Sequence, residues 1–234
     1  IVVEEGLLYV NGAGSITQTA GLTIQDGASF NQAGIVNGAG ASAATVQIDS
    51  GGLYVLNGVL DGNVTVDAGG RFTTQGGAVH NAGGSLTNSG TVGLGGGSLA
   101  SGLTNGGVID GNGGTTTIAG SYTNANGITN STGGATTLDF SDGGSAFVNT
   151  DDINAGTGSV TIEADTIRMN SGTTSIGTVN LTTNAGNVDI YGHYRNEGTI
   201  TSASNVIVRT SGVLTNSAGA THCEADARDN NGLD

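Results

Sequence analysis

Four aspartates form the densest acidic group of the chain and are the clearest candidates for chemistry: Asp139, Asp142, Asp151 and Asp152. Carboxylate oxygens are the preferred ligands of Ca²⁺, so this group could bind a calcium ion. A pair of carboxylates can also act as acid and base in the cleavage of a glycoside. The plainest interpretation is that these side chains are acidic turns in water. We therefore expect no cofactor and keep Ca²⁺ at this group as an alternative.

The stretch DIYGHYRNEG, residues 189–198, is a candidate binding patch because it gathers four suitable side chains: Tyr191, His193, Tyr194 and Arg195. Strand alternation counted from Ile190 places Tyr191 and His193 on an outer face, although Gly192 interrupts the pattern. The alternative interpretation is an outward turn in which Tyr194 packs inward. The sequence predicts a local binding patch here and leaves both interpretations open.

The stretch THCEAD, residues 221–226, brings His222, the single cysteine Cys223 and Glu224 together. A metal site needs three or four ligands, and sequence neighbours rarely supply them alone. Cys223 could form an interchain disulfide, but we expect a free thiol. Residues 221–234 leave the repeat pattern described below. We interpret them as a tail, cap or linker that follows a repeat domain at 1–220.

No nucleophile or phosphate-binding motif accompanies these groups. The Gly-x-Ser-x-Gly pattern is absent, and the chain has no lysine for a Walker A motif. Catalytic residues are therefore not predicted, and we expect a protein that is not an enzyme. Threonine-rich stretches at 72–74 and 115–117 do not recur at one phase, which argues against an ice-binding face.

The composition favours an ordered all-β protein. The 234 residues include 45 glycines and no proline, charged residues are only 10%, and Val, Ile and Thr are plentiful. The net charge of −14, with five arginines, disfavours nucleic acid and anionic membranes as partners. No apolar run approaches the roughly 20 residues that span a bilayer, so no membrane insertion is expected. No signal peptide precedes Ile1, so we expect a mature product or an excised fragment.

A nine-residue repeat organises the chain, with apolar residues at its first, third and ninth positions and glycine at its sixth. Clear copies are LTIQDGASF at 22–30, VQIDSGGLY at 46–54 and VTVDAGGRF at 64–72. Successive copies begin mostly about 18 to 24 residues apart. Each copy offers a short alternating strand, a glycine-rich turn and a second short strand.

A second motif, exemplified by LTNSGTV at 86–92, places an asparagine two residues after a large apolar residue. Asparagine tolerates a left-handed backbone and can cap its own turn, so we interpret these residues as structural corners rather than ligands. Because the spacing is irregular, we expect short local stacks of asparagine between neighbouring turns. The predicted set is Asn88, Asn105, Asn124, Asn149, Asn196 and Asn216.

A unit of this length cannot bury its own apolar face, whereas stacked copies can. The repeat therefore predicts a right-handed parallel β-helix of roughly ten to eleven rungs, each about 4.8 Å high. The absence of proline agrees, because proline would remove an N–H group from the ladder. The residues expected to face inward are Val46, Ile48, Val64, Val66, Val160, Ile162, Val179, Leu181, Val188, Ile190, Val206 and Val208, together with Phe30, Tyr54, Phe72 and Tyr122.

These repeats resemble those of filamentous-haemagglutinin-like adhesins and autotransporter passenger domains. The motifs that carry the resemblance are LTNSGTV at 86–92, LTNGGVI at 103–109, VTVDAGG at 64–70 and LTTNAGNVDI at 181–190. The resemblance covers about residues 1–220. It implies a parallel β-helix exported by Gram-negative bacteria, which acts as a surface rod in adhesion, aggregation or biofilm formation.

The expected function is an extracellular structural or adhesive solenoid, secreted or at the cell surface. It would be a segment of a surface adhesin or the subunit of an extracellular fibre. The expected partners are a second copy, head to tail through the solenoid ends, and a host or matrix glycan or protein. Two other classes stay open: a carbohydrate-active β-helix enzyme that uses the four aspartates, and a passive glycan-binding module that uses Tyr191 and His193.

Overall fold

The structure is a computed structural model, and it describes residues 1–12, 14–18, 21–38, 44–81, 85–99, 103–140, 144–170, 172–191, 193–209, 212–217, 219 and 221–224. For residues 17–18, 35–38, 44, 193 and 221–224 it describes the backbone alone. Among the described residues, no helix has the length and apolarity needed to cross a membrane.

Short strands dominate the described chain, as the alternating pattern predicts. The strands of the first half are β1 (Val2–Val3), β2 (Gly6–Val10), β3 (Ser15–Gln18), β4 (Leu22–Ile24), β5 (Ala28–Gln32), β6 (Ile35–Gly38), β7 (Ala44–Ile48), β8 (Leu53–Leu56), β9 (Val59–Leu60), β10 (Gly62–Val66), β11 (Arg71–Thr74), β12 (Val79–His80), β13 (Ser85–Asn88), β14 (Thr91–Leu94), β15 (Gly97–Leu99), β16 (Thr104–Asn105), β17 (Val108–Gly111) and β18 (Gly114–Ile118). Those of the second half are β19 (Tyr122–Asn124), β20 (Ile128–Thr129), β21 (Ala135–Asp139), β22 (Ala146–Asn149), β23 (Ile153–Ala164), β24 (Thr166–Met169), β25 (Ser175–Thr183), β26 (Val188–Ile190), β27 (His193–Asn196), β28 (Thr199–Ser202), β29 (Val206–Val208), β30 (Val213–Asn216) and β31 (Thr221–Glu224).

The strands pair in parallel, and each pairs with the strand one turn further along the chain. The longest ladder takes one strand from each turn: β3, β6, β9, β12, β15, β18, β21, β23, β25, β28 and β31. A second ladder runs from β2 through β5, β8, β11, β14, β17 and β20 to β23 and β25. The first face is formed by two sheets, β1–β4–β7–β10–β13–β16 and β19–β22–β24–β26–β29.

This arrangement confirms the predicted all-β parallel solenoid. The right-handed sense of the coil stays a prediction. The last strand, β31, continues the longest ladder through Glu224, beyond the expected domain boundary at residue 220. Residues 225–234 of the expected tail lie outside the described residues.

One apolar core fills the centre of the coil along its length. In the second ladder, Phe30, Tyr54 and Phe72 stack on successive turns with ring centroids 4.9 and 5.3 Å apart. Each is fully buried, so alternation predicts their direction correctly. The other residues predicted to face inward between positions 46 and 190 are also buried, whereas Val206 and Val208 are only half-buried.

Glycine is required where the backbone of one turn passes close to the next. A Cβ atom on Gly58 would overlap the carbonyl oxygen of Gly34, and a Cβ on Gly34 would overlap that of Gly14. Because the obstacle is backbone, no side-chain rotation relieves it. At the glycine-rich turn of the repeat, Gly27 and Gly51 have φ angles of +73° and +78°, which also favour glycine.

Two long strands join faces that are separate in the earlier turns. β23 pairs with β20 through Ile153 and Asn154, and with β21 through residues 159–163. The register between β23 and β25 shifts between Asn154 and Ser159, which marks a bulge at the corner. The second and third faces therefore form one continuous sheet in this part of the rod.

Candidate functional site

The structure places the described members of the acidic group at separate positions. Asp139 lies in β21 on the outer side of the third face, whereas Asp151 and Asp152 lie in the corner between β22 and β23. The carboxylate of Asp152 accepts hydrogen bonds from the backbone N of Thr174 at 2.9 Å and its hydroxyl at 2.6 Å, and these bonds lower the pKa of Asp152. Asp142 lies outside the described residues.

Asp139 has a carboxylate neighbour that sequence reasoning missed. Its partner in the next turn is Glu163 of β23. Burial, and then the charge of Asp139, raise the pKa of Glu163. Within the described ranges, no three His, Cys, Asp or Glu side chains lie close enough to hold a metal ion. The structure therefore does not bring the described aspartates together as a calcium site.

The predicted asparagines stack in pairs between neighbouring turns. Asn88 Nδ2 donates to Asn105 Oδ1 at 2.6 Å, and Asn105 Nδ2 donates to the Tyr122 hydroxyl at 2.9 Å. The other pairs are Asn124 with Asn149 at 2.7 Å and Asn196 with Asn216 at 3.0 Å. Their amides tie turns together; Asn88, Asn124, Asn149 and Asn196 are buried, Asn105 is half-buried and Asn216 is exposed.

The left-handed backbone expected at these asparagines is wrong. Among the described residues, positive φ angles occur at glycine alone. At Asn88, Asn105 and Asn196 the asparagine side chain instead accepts a hydrogen bond from the backbone N two residues on. Gly90 N donates to Asn88 Oδ1 at 3.0 Å, and Gly198 N donates to Asn196 Oδ1 at 3.1 Å. These asparagines therefore shape their corners through the side chain, and the following glycine permits the close approach.

The four residues of the predicted binding patch point in different directions. Tyr194 is buried, and burial raises its pKa to about 12. Arg195 is exposed and forms an ion pair of 2.9 Å with Glu197. Tyr191 is half-buried in the corner after β26, and the backbone of His193 begins β27 while its side chain lies outside the description. Of the four, Tyr191 and Arg195 present described side chains to the surface.

Tyr191 is covered by arginines from neighbouring turns. The guanidinium carbon of Arg168 lies 4.2 Å from the centre of the Tyr191 ring, and that of Arg209 lies 5.8 Å away. Arg209 also forms an ion pair of 2.6 Å with Asp189. The ring is therefore no open platform for a sugar, and the accessible group of this surface is a guanidinium. Sequence reasoning missed Arg168, Asp189 and Arg209.

A second polar group crosses three turns on the outer side of the second ladder. Arg71 Nη2 donates to Asp110 Oδ2 at 2.9 Å, although one turn lies between β11 and β17. Gly93 of the intervening β14 leaves room for the guanidinium, because a Cβ there would lie 3.0 Å from Arg71 Nη2. Ser131 donates to Asp110 through its backbone N at 2.9 Å and its hydroxyl at 2.7 Å. We refer to this contact as the Arg71–Asp110 bridge.

Threonines line the outer side of the third face in the second half of the rod. The pairings place Thr115, Thr137 and Thr161 in one column and Thr117, Thr182 and Thr201 in the next. Residues 72–74 lie in the second ladder and 115–117 in the third face, which confirms that the two stretches do not share a phase. Asp139 and Glu163 interrupt the second column with charge, which distinguishes this face from a continuous hydroxyl array.

His80 is a titratable group inside the core. It is fully buried in β12 between Leu60 and Leu99 of the adjoining turns, and its Nε2–H donates to the Gly62 carbonyl at 2.6 Å. Burial lowers the pKa of His80 from its ordinary 6.5, although the Gly62 hydrogen bond and the charge of Asp61 oppose the shift. The folded chain therefore holds a neutral imidazole.

We expect His80 to make the protein less stable as the pH falls below about 6.5. Below that pH, His80 is protonated in the unfolded chain but stays neutral in the folded chain. The free energy of unfolding therefore declines by up to about 1.4 kcal/mol per pH unit until the pKa of His80 in the folded chain is reached. Urea unfolding from pH 7.5 to 5 measures the slope. His80→Leu should flatten it, because leucine matches the residues above and below in the column. An equal slope in both proteins would contradict this assignment.

Family comparison matches nearly the whole chain. The family model described as haemagglutinin repeat matches residues 5–56, 42–104, 100–145 and 142–218. These segments together run from β2 to β30 and cover most of the parallel coil. No curated protein and no solved structure shows significant similarity to the chain.

Proposed function

Because the chain belongs to the haemagglutinin repeat family, we propose that it is an extracellular structural and adhesive rod, either a segment of a surface adhesin or the subunit of a fibre. The observation that carries this proposal is the coincidence of the repeat matches with an uninterrupted parallel ladder from β3 to β31. Such a rod displays side chains in columns along its axis, which suits multivalent contact with a surface.

The charge and the surface support a role outside nucleic-acid and membrane binding. The net charge of −14 opposes both phosphate backbones and anionic lipid. In the described ranges, no three His, Cys, Asp or Glu side chains lie close enough to hold a metal ion, and Asp152 is engaged by Thr174. The haemagglutinin repeat family is structural and adhesive, which supports a role without catalysis.

An adhesion assay tests the proposal. Beads coated with the folded protein should adhere to cultured epithelial cells or to one another more than beads coated with the same protein after heat unfolding. Beads coated with an unrelated protein of equal size and charge are the second control. Equal adhesion by all three preparations would contradict an adhesive role.

Electron microscopy separates the two forms of the proposal. A fibre subunit should assemble head to tail into filaments, because a solenoid end offers unpaired strand edges to the next copy. An adhesin segment should remain as discrete short rods. Antibody labelling of intact source cells tests the surface location, and labelling that requires permeabilised cells would contradict it.

A further inference from the structure

We propose that Arg168, held on Tyr191 beside Arg209, is a binding site for the carboxylate groups of an acidic polysaccharide. The site lies on the outer side of the first face, where β24, β26 and β29 pair. The proposed site adds a ligand class to the proposed adhesive function, and only its biological role rests on that function. The contacts described below do not depend on it.

The three-turn geometry holds Arg168 in place. Tyr191 N donates to the Met169 carbonyl and Arg209 N donates to the Ile190 carbonyl, so Tyr191 and Arg209 occupy equivalent corner positions in successive turns. Arg168 lies over the ring at 4.2 Å, and its Nε donates to Asn170 Oδ1 at 2.7 Å. A guanidinium fixed on one face and at Nε loses little further freedom on binding a ligand.

Among the four arginines that the structure describes, Arg168 is the one without an ion pair. Arg71, Arg195 and Arg209 form ion pairs with Asp110, Glu197 and Asp189. Across the described part of the chain, no carboxylate lies within 4.0 Å of the Arg168 guanidinium, and the residue is exposed. An unpaired guanidinium in a chain of net charge −14 is a local reversal of sign.

The remaining donors of Arg168 suit a carboxylate. With Nε engaged by Asn170, the two terminal nitrogens stay available at the exposed end of the side chain. Two parallel N–H groups match the two oxygens of a carboxylate, which makes such contacts shorter and stronger than neutral hydrogen bonds. The neighbouring Arg209 already binds a carboxylate of the chain at this surface, through one contact of 2.6 Å from Nη2 to Asp189 Oδ1.

The fold favours a polysaccharide over an acidic peptide. Peptides commonly bind by adding a strand to an open sheet edge. β24 is paired on one side with β22 and on the other with β26, so no edge is open at Arg168. A flat sheet face with successive turns about 4.8 Å apart instead suits an extended polymer that lies along the axis.

Calorimetric titration with a defined oligogalacturonate tests the site at low ionic strength. We expect binding that weakens as salt is added. Arg168→Gln should weaken it roughly tenfold or more, as expected for loss of a charge-assisted hydrogen bond. The matched control is Arg71→Gln, which changes the net charge equally but removes an arginine paired with Asp110 on another face, and it should change affinity less than about twofold.

Two further variants separate the site from a folding effect. Tyr191→Phe keeps the ring and should keep binding, whereas Tyr191→Ala removes the support of Arg168 and should weaken binding. Thermal unfolding of each variant checks that the coil is intact. Equal affinity of Arg168→Gln and the parent protein would overturn the proposal, as would an equal loss in both arginine variants.

Titration with other ligands tests whether the site binds the carboxylate groups of a polysaccharide. A methyl-esterified oligogalacturonate should not bind, and equal binding of it would overturn a carboxylate contact. Tighter binding of a sulfated oligosaccharide, or of hexaglutamate, would overturn the assignment to a carboxylate polysaccharide. Because the ligand is soluble, binding without bead adhesion would refute the adhesive function and leave this site standing, and adhesion without binding would do the reverse.

Discussion

Phe147→Ala is expected to lower the free energy of unfolding by about 3–5 kcal/mol. Phe147 is fully buried in β22, and its ring packs 5.5 Å from Phe140 and 6.0 Å from Tyr122. Alanine would leave a cavity, and the neighbouring rings are held by hydrogen bonds between turns: Tyr122 lies in β19, and Phe140 N donates to the Glu163 carbonyl at 2.8 Å. Urea unfolding followed by circular dichroism measures the loss.

The control for this change is Val148→Thr in the same strand. Val148 alternates with Phe147 and faces outward, so this substitution should alter stability by no more than about 0.5 kcal/mol.

In a solenoid each turn contacts its neighbours, so the cavity left by Phe147→Ala should loosen nearby turns first. Hydrogen exchange should show lost protection from β19 to β24 before β5 to β11. Uniform loss along the rod would contradict that local response.

Asp110→Ala is expected to lower the free energy of unfolding by about 1–2 kcal/mol. Asp110 is only 4% exposed and accepts hydrogen bonds from Arg71 and Ser131. Its removal takes the acceptor from the N–H and the hydroxyl of Ser131, but Ser131 is exposed, so water replaces part of these bonds. Arg71, whose side chain is 38% exposed, can also turn to water.

A double-mutant cycle isolates the Arg71–Asp110 bridge. Arg71→Gln and Asp110→Ala should be non-additive by about 1 kcal/mol, and additive losses would contradict the bridge. Gly93→Ala tests it without removing either partner, because the added methyl group would displace the Arg71 guanidinium.

Burial alone would raise the pKa of Asp110, but its bonds to Ser131 and Arg71 hold that pKa below the ordinary 3.8. Its stabilisation is therefore lost as the pH falls below that value.

Alternation within a strand predicted the core because that rule needs only local sequence. Val46 and Ile48 of β7 are both fully buried, and so is Phe72 of β11. The asparagine motif likewise predicted contacts between neighbouring turns, such as Asn88 with Asn105. Its backbone conformation was predicted wrongly, because neither Asn88 nor the following Gly90 has a positive φ; Gly90 is needed instead where a Cβ would overlap the backbone of the neighbouring turn.

The surface sites could not be predicted, because they depend on the summed lengths of all corners in a turn. Thr115, Thr137 and Thr161 share a column although they are 22 and 24 residues apart, and Asn180 follows after 19. A change of one residue in any corner would move a side chain to another column. Arg168 and Tyr191 belong to neighbouring turns, and only the register shows that they touch.

Asp110 shows a second limit of sequence reasoning. Strand alternation places it on the outer side, where an aspartate is expected in water. It is buried because Arg71 reaches across Gly93 and covers it, a contact between residues in different turns. Burial of an outward-facing residue therefore depends on long side chains of other turns, which no local pattern reports.

The Arg71–Asp110 bridge also has a mechanical consequence. Hydrogen bonds between turns run along the rod, so tension at its ends loads them one after another, and the coil should peel away turn by turn. The bridge ties β11 to β17 and passes over β14, so the three turns holding these strands should come away together. A pulled rod would therefore extend in short steps interrupted by one longer step, and that step would mark the part of the rod best able to bear load.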